Sequence, residues 1–299
     1  MSNENMPVAP AESVFLADLA DRDDHIVDVL IEERCPSFVR HWSWPALRPT
    51  LYSLLGYRRA RRLADHIVHL NGRDSFDHLS KTLGIDLSLN QIERMPRTGR
   101  LVVAANHPTG LADGVAAWDA LKRVRKDIVF LANADAMRVN PNFADVIIPV
   151  EWIQDKRSPA KTRETLRRAK QAFEEEKCIV IFPSGKLAKK IDGELTEQDW
   201  FPTVVSLARK HQAPIQPLNL KATNSRLYYL FSQVSGELRD ITLFRELLNK
   251  KNSPFEMTFG PLIAPDQLSG DANTLTLALR DYVSTGLARS NDLVFDPGL

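Results

Sequence analysis

A histidine and an aspartate stand six positions apart in Asn106-His107-Pro108-Thr109-Gly110-Leu111-Ala112-Asp113-Gly114, directly after the apolar run Leu101–Ala105. An imidazole titrates near neutrality, so it can take a proton from a hydroxyl. A carboxylate bonded to one ring nitrogen fixes the tautomer and raises the basicity of the other. The Pro and Gly turn lets Asp113 fold back toward His107, and backbone N–H groups of the turn and of the next helix start are placed to face a developing oxyanion. Taken alone, the same residues also suit a plain helix start, with Asp113 as a cap and His107 as a turn residue. A second candidate block, Pro183-Ser184-Gly185-Lys186, follows the apolar run Cys178–Phe182.

Little else in the chain competes. It has no serine nucleophile elbow, no Cys–His signature and no Walker loop, and Gly110 with Gly114 lacks dinucleotide-fingerprint spacing. His66 and His69 are three apart but have no third ligand nearby, so no metal site is expected.

The elements that must position these blocks are short β-branched runs alternating with helical ones. Leu101–Ala105, Ile128–Leu131, Val146–Val150, Cys178–Phe182, Ile215–Leu220 and Phe255–Phe259 read as strands. Asp113–Val124, Ala160–Glu176, Thr203–Lys210, Glu237–Asn249 and Asn273–Ala288 read as helices. The alternation predicts an α/β fold, a mostly parallel central sheet flanked by helices, with its site beyond the carboxyl ends of the strands.

The N-terminal third reads differently. Residues 1–12 are polar, expected to be a flexible tail, and lack the basic head and apolar stretch of a secretory signal. From Met1 to Glu33 nine acidic residues face one arginine, whereas Arg34–Leu63 holds seven arginines and no carboxylate. Phe38, Trp42, Trp44, Tyr52 and Tyr57 lie among those arginines. Residues 13–90 therefore read as a helical, Arg- and aromatic-rich region, a candidate for lying on an anionic membrane surface or for packing on the main domain.

Across 299 residues, 39 Lys plus Arg against 38 Asp plus Glu leave a net charge of +1, which gives no global attraction to nucleic acid. With 43% hydrophobic residues the chain can fill a core, and no apolar run approaches the roughly 20 residues that cross a bilayer. Two cysteines, Cys35 and Cys178, are too few for a disulfide framework and point to a reducing, cytoplasmic setting.

The block Asn106-His107-Pro-Thr-Gly-Leu-Ala-Asp113-Gly resembles the His and Asp signature of the glycerolipid acyltransferases, the lysophosphatidic acid acyltransferase or PlsC-like superfamily. Phe182-Pro183-Ser184-Gly185 resembles its later Phe-Pro-Glu-Gly block and Ala213-Pro-Ile-Gln-Pro217 its final hydrophobic-proline block, in the same order, so the likeness covers about residues 95–265. It implies an acyltransferase domain over 91–299 that moves an acyl group from an acyl thioester, carried by coenzyme A or acyl carrier protein, to a lyso-lipid hydroxyl. His107 would be the base and Asp113 its orienter. The likeness also implies substrate-binding roles for Asn106, Thr109, Gly110, Trp152, Pro183, Ser184, Gly185 and Lys186. It implies no metal or redox cofactor, and a peripheral location on the inner face of the membrane.

The chain departs from the family pattern at four points, and the two lost arginines bear on the acceptor. The His–Asp spacing is one residue longer than the commonest family form. Ser184 stands where the family has glutamate, and Leu187 where it has arginine; Trp152 stands where an arginine usually holds the acceptor's phosphate. Phosphate recognition favours the bidentate guanidinium, so an aminolipid acceptor, a 3-hydroxyacyl amino acid, becomes a reading beside lysophosphatidic acid. Lys186, Lys189 and Lys190 can supply positive charge, Glu151 can pair with an acceptor amine, and Lys161, Arg163, Arg167 and Arg168 can form a basic rim for acidic acyl carrier protein. The alternative is a non-catalytic lipid-binding protein that keeps the fold.

Overall fold

The computed structural model describes residues 13–16, 24–151 and 154–297. The expected tail at 1–12 and Trp152 lie outside the described residues. The strands are β1 (Asp86–Asn90), β2 (Leu101–Ala105), β3 (Ile128–Asn133), β4 (Ile147–Val150), β5 (Cys178–Ile181), β6 (Lys189–Ile191), β7 (Glu194–Thr196), β8 (Ile215–Lys221) and β9 (Pro254–Phe259). Seven form one sheet in the order β1-β9-β8-β2-β5-β3-β4. Strands β2, β3, β4, β5 and β8 run parallel. Strand β9 is antiparallel to β8 and β1 is parallel to β9, so one edge of the sheet is reversed. Strands β6 and β7 form a separate hairpin.

Continuous apolar runs make central strands because both faces of a covered sheet are dry. In β2, Leu101, Val103 and Ala105 enter the core on one face, with Phe76, Leu83 and Trp118. Val102 and Ala104 enter the core on the other, with Phe173, Val204 and Leu279. Helices Gly72–Leu83 and Leu111–Leu121 therefore cover one side, and helices Pro159–Glu174, Thr203–Lys210 and Ala272–Asp281 the other. The α/β expectation holds, with a mostly parallel sheet and N-terminal helices.

Some boundaries differ from expectation. Asp86–Asn90, read as the end of the helical region, is an edge strand paired with β9. Helix Arg226–Val234 and the β6–β7 hairpin were not expected, and Glu237–Asn249 is two short helices, Gly236–Ile241 and Leu243–Leu248.

The N-terminal helices have a small core of their own, built from Val27, Ile31, Trp44, Tyr52 and Leu55 together with Ile241. Trp44 and Tyr52, two of the aromatics considered for a membrane face, are buried, and Tyr57 stacks on Tyr52 at 4.6 Å. Arg48 pairs with Asp28 at 2.8 Å, Arg34 pairs with Asp135 at 2.6 Å, and Arg138 reaches Glu33 at 2.8 Å. Two of the seven arginines of the basic stretch, Arg34 and Arg48, are thus spent on internal pairing. Trp42, Leu47 and Leu54 remain exposed, as do Arg58, Arg59, Arg61 and Arg62 on helix Tyr57–Ile67. No described helix is long and apolar enough to cross a membrane. His66 stacks against His78, and His69 lies past the end of its helix.

Candidate active site

Strands β2 and β5 are neighbours in the sheet, so the loops beyond their carboxyl ends meet. His107 follows β2 by two residues and Phe182 follows β5 by one; the two rings stack with centroids 4.4 Å apart. The Ala188 N–H donates to the His107 carbonyl at 2.9 Å, tying the second block to the first.

Gly110 carries the turn at φ +93°, a backbone conformation that side-chain-bearing residues rarely adopt. There is also little room: a Cβ at this position would meet the Leu187 side chain at 3.0 Å. The turn brings Asp113, third residue of helix Leu111–Leu121, back onto its own N-terminus. Oδ2 of Asp113 accepts from the Thr109 N–H at 2.8 Å, the Gly110 N–H at 2.9 Å and His107 Nδ1 at 2.9 Å. The Thr109 hydroxyl donates to Oδ1. Asp113 is fully buried, while 17% of the His107 side chain is exposed. A carboxylate accepting at Nδ1 leaves Nε2 as the basic nitrogen, on the ring that solvent can reach. Capping and orienting are therefore not alternatives here, because one carboxylate does both.

The turn amides expected to face an oxyanion are consumed in this arrangement: Thr109 and Gly110 donate to Asp113 instead. The amides of Leu111 and Ala112, in the first helical turn, have no intrahelical acceptor and take that place as candidates.

The substrate-binding candidates fall into two groups. Both ends of the Asn106 amide bond the Leu220 backbone, at 2.9 and 2.7 Å, which fastens the end of β2 to β8. The Thr109 hydroxyl is spent on Asp113. Ser184 is 1% exposed and its hydroxyl donates to the Lys186 carbonyl at 2.8 Å, while Pro183 is buried beside it. Their geometry is that of loop supports rather than of a surface open to substrate. Gly185, at φ +58°, is half-buried, and Lys186 is exposed. Glu151 forms an ion pair with Lys161 at 3.0 Å, both side chains 10% exposed, so neither is the open group that pairing with an acceptor amine or a carrier protein requires. Arg167 and Arg168 are both held by Glu164, and Arg163 stays exposed.

Several residues around the site carry no sequence signal. Glu197 accepts the His107 backbone N–H at 3.1 Å and the Trp200 indole N–H at 3.1 Å, and burial pushes its carboxyl upward. Behind Asp113, the Asn224 amide donates to the Thr109 carbonyl at 3.4 Å, and its oxygen accepts from Lys250 Nζ at 2.9 Å. Lys250 also donates to Glu246 at 3.1 Å. Burial pulls the Lys250 ammonium below its usual range. Burial raises Glu246, but hydrogen bonds from Ser225 and the charge of Lys250 hold it below the ordinary carboxylate range. Among the described residues no cluster of three or more His, Cys, Asp or Glu side chains is placed to hold a metal.

The mostly parallel sheet thus carries a hydrogen-bonded His–Asp pair beyond the carboxyl end of β2, next to the loop that follows β5. Residues 86–221 match the family model described as Acyltransferase. Two relatives bear the name lyso-glycine lipid O-acyltransferase. That of Phocaeicola vulgatus is 24% identical over 65% of this chain and 75% of its own length. That of Bacteroides thetaiotaomicron is 21% identical over 63% of this chain and 70% of its own. Among solved structures, the 1-acyl-sn-glycerophosphate (LPA) acyltransferase PlsC from Thermotoga maritima aligns over 96% of this chain and 97% of that one, at 13% identity and a TM-score of 0.48.

Proposed function

We propose that this acyltransferase moves a fatty acyl group from an acyl thioester, on coenzyme A or acyl carrier protein, to the hydroxyl of a lyso-aminolipid, at the inner face of the membrane. The observation that carries the reading is the preassembled pair: His107 Nδ1 at 2.9 Å from a fully buried Asp113. Nε2 takes the proton of the acceptor hydroxyl while its oxygen attacks the thioester carbonyl carbon. The C–S bond then breaks, and the imidazolium returns the proton to the departing thiolate. A thiolate leaves readily, so no acyl-enzyme stage is needed. The imidazolium formed on the way is stabilised by Asp113. Developing negative charge on the carbonyl oxygen falls to the first-turn amides of Leu111 and Ala112, helped by the positive end of the helix.

The aminolipid acceptor rests on the names of the two relatives and on the absence of two family arginines, the phosphate-holding one at the position of Trp152 and the one at the position of Leu187. The exposure of Trp42, Leu47 and Leu54 and of Arg58, Arg59, Arg61 and Arg62 in the N-terminal helices supports contact with an anionic bilayer. A pair so closely built favours catalysis over passive lipid binding. Purified protein offered one acyl thioester with lyso-glycine lipid or with lysophosphatidic acid should consume the thioester chiefly with the former, and His107→Ala should lower that rate at least about 10²-fold. Thioester consumed with neither acceptor defeats the proposal, and equal use of both defeats its acceptor.

A further inference from the structure

The β6–β7 hairpin and helix Arg226–Val234 enclose an open cleft of about 570 Å³ whose lining includes Lys190, Asp192, Arg226, Tyr229, Leu230 and Gln233. Both walls are tied to the catalytic turn. The hairpin grows out of the segment in which Ala188 bonds the His107 carbonyl. On the helix, the Tyr229 hydroxyl accepts the Asn224 N–H at 3.2 Å, and the Asn224 side chain reaches the Thr109 carbonyl. Burial raises the Tyr229 phenol, which stays a neutral wall across the physiological range. Lys190 Nζ lies over the Tyr229 ring, 5.5 Å from its centroid. Arg226 is exposed, and among the described residues neither it nor Lys190 has a carboxylate partner.

We infer that Lys190 and Arg226 bind the free α-carboxylate of an N-acyl amino acid acceptor in this cleft and so set head-group specificity. The inference rests on the lyso-aminolipid reading above and deepens it. When an amino acid is acylated on nitrogen, the positive ammonium becomes a neutral amide, and the carboxylate is left as the charged end of the head group. Two cations and the Asp192 carboxylate leave the cleft one net positive charge. That balances a monoanionic carboxylate. A phosphomonoester approaching a double charge would need the further arginines that this chain lacks, and Asp192 would repel it. Arg226 offers the fork that fits a carboxylate bidentately, and Lys190 adds a mobile point charge. The apolar wall at Leu230, 56% exposed, continues into Val234, 70% exposed, a surface on which an acyl chain can lie.

The test is a four-way comparison in nonionic detergent, which removes any contribution from vesicle charge. Wild type and the Lys190→Gln/Arg226→Gln double variant are each given lyso-glycine lipid and its carboxyl methyl ester. Wild type should prefer the free acid by at least about 30-fold in kcat/KM, and the double variant should bring that ratio close to one. The ester reports on folding and chemistry, because it never engages the two cations. Lyso-ornithine lipid, which keeps the α-carboxylate, should lose rate in the variant as lyso-glycine lipid does. An unchanged acid-to-ester ratio in the double variant overturns the inference while leaving the enzyme reading intact. Wild type that acylates neither compound overturns both.

Discussion

Asp113→Asn is the most direct perturbation, because it changes a charge at the pair without removing an atom position. The wild-type carboxylate accepts four hydrogen bonds, three on Oδ2 and one on Oδ1. An asparagine oxygen turned to the Thr109 and Gly110 amides keeps the turn, and its NH2 can donate to a reversed Thr109 hydroxyl. What is lost is the charge opposite the imidazolium. At about 4 Å between charge centres and an effective dielectric near 20, that attraction is about 4 kcal/mol. At about 1.4 kcal/mol per decade it corresponds to roughly 10³-fold in turnover, within the range expected of a base and its orienter. One acceptor fewer around a buried site costs about 1–3 kcal/mol in stability, a fall of a few degrees in Tm. The assay is thiol release from the acyl thioester in the presence of acceptor, with melting followed on the same samples. His107→Ala and the His107→Ala/Asp113→Asn double variant should fall to nearly the same residual rate, since the two groups act as one unit. Turnover of Asp113→Asn within tenfold of wild type, on a protein of near-normal Tm, would refute the reasoning.

Two further outcomes follow from the same structure. Replacing Arg58, Arg59, Arg61 and Arg62 by Ser should reduce sedimentation with anionic vesicles, each charge contributing up to about 1 kcal/mol, while sparing activity on detergent-dispersed substrate; unchanged sedimentation would leave these arginines as mere solvating groups. Burial acts to raise the Glu33 carboxyl, but hydrogen bonds from Arg138 and Lys156 outweigh it and hold it at about 2 instead of 4.5. A depressed carboxylate stabilises the folded state above its unfolded pKa, so this clasp between the N-terminal helices and the α/β domain adds on the order of 1 kcal/mol at neutral pH once solvent screening of the half-buried pair is counted, lost as pH falls from 4.5 toward 2. Glu33→Gln should therefore melt about 2–4 °C below wild type at pH 7, with a gap that narrows below about pH 4.5; a gap independent of pH would remove the electrostatic account.

The contact between His107 and Asp113 and the sheet that carries it were legible in the sequence, for a local reason. Leu101–Ala105 and Cys178–Phe182 are apolar without a break, which only a strand covered on both faces tolerates, and their neighbouring turns had to emerge at the same end. The edge strand β1 was legible too, in the alternation Asp86-Leu-Ser-Leu-Asn90, but was absorbed into the helical region that precedes it. The arginine switch was visible as composition, yet composition does not say which charges are spent internally, as Arg34, Arg48 and, on the acidic side, Glu33 are.

Chain-local chemistry, then, determined the strands, the glycine-bearing turn and the imidazole–carboxylate pair, all set by residues within a few positions of one another. The tertiary structure decided the rest: that Glu197 grips the His107 backbone from ninety residues away, that Asn224 and Lys250 back the turn, and that a hairpin and a distant helix close a cleft around Lys190 and Arg226. Hydrogen bonds and ion pairs act over a few ångströms of space whatever the separation along the chain, so their partners exist only once the sheet has brought its loops together.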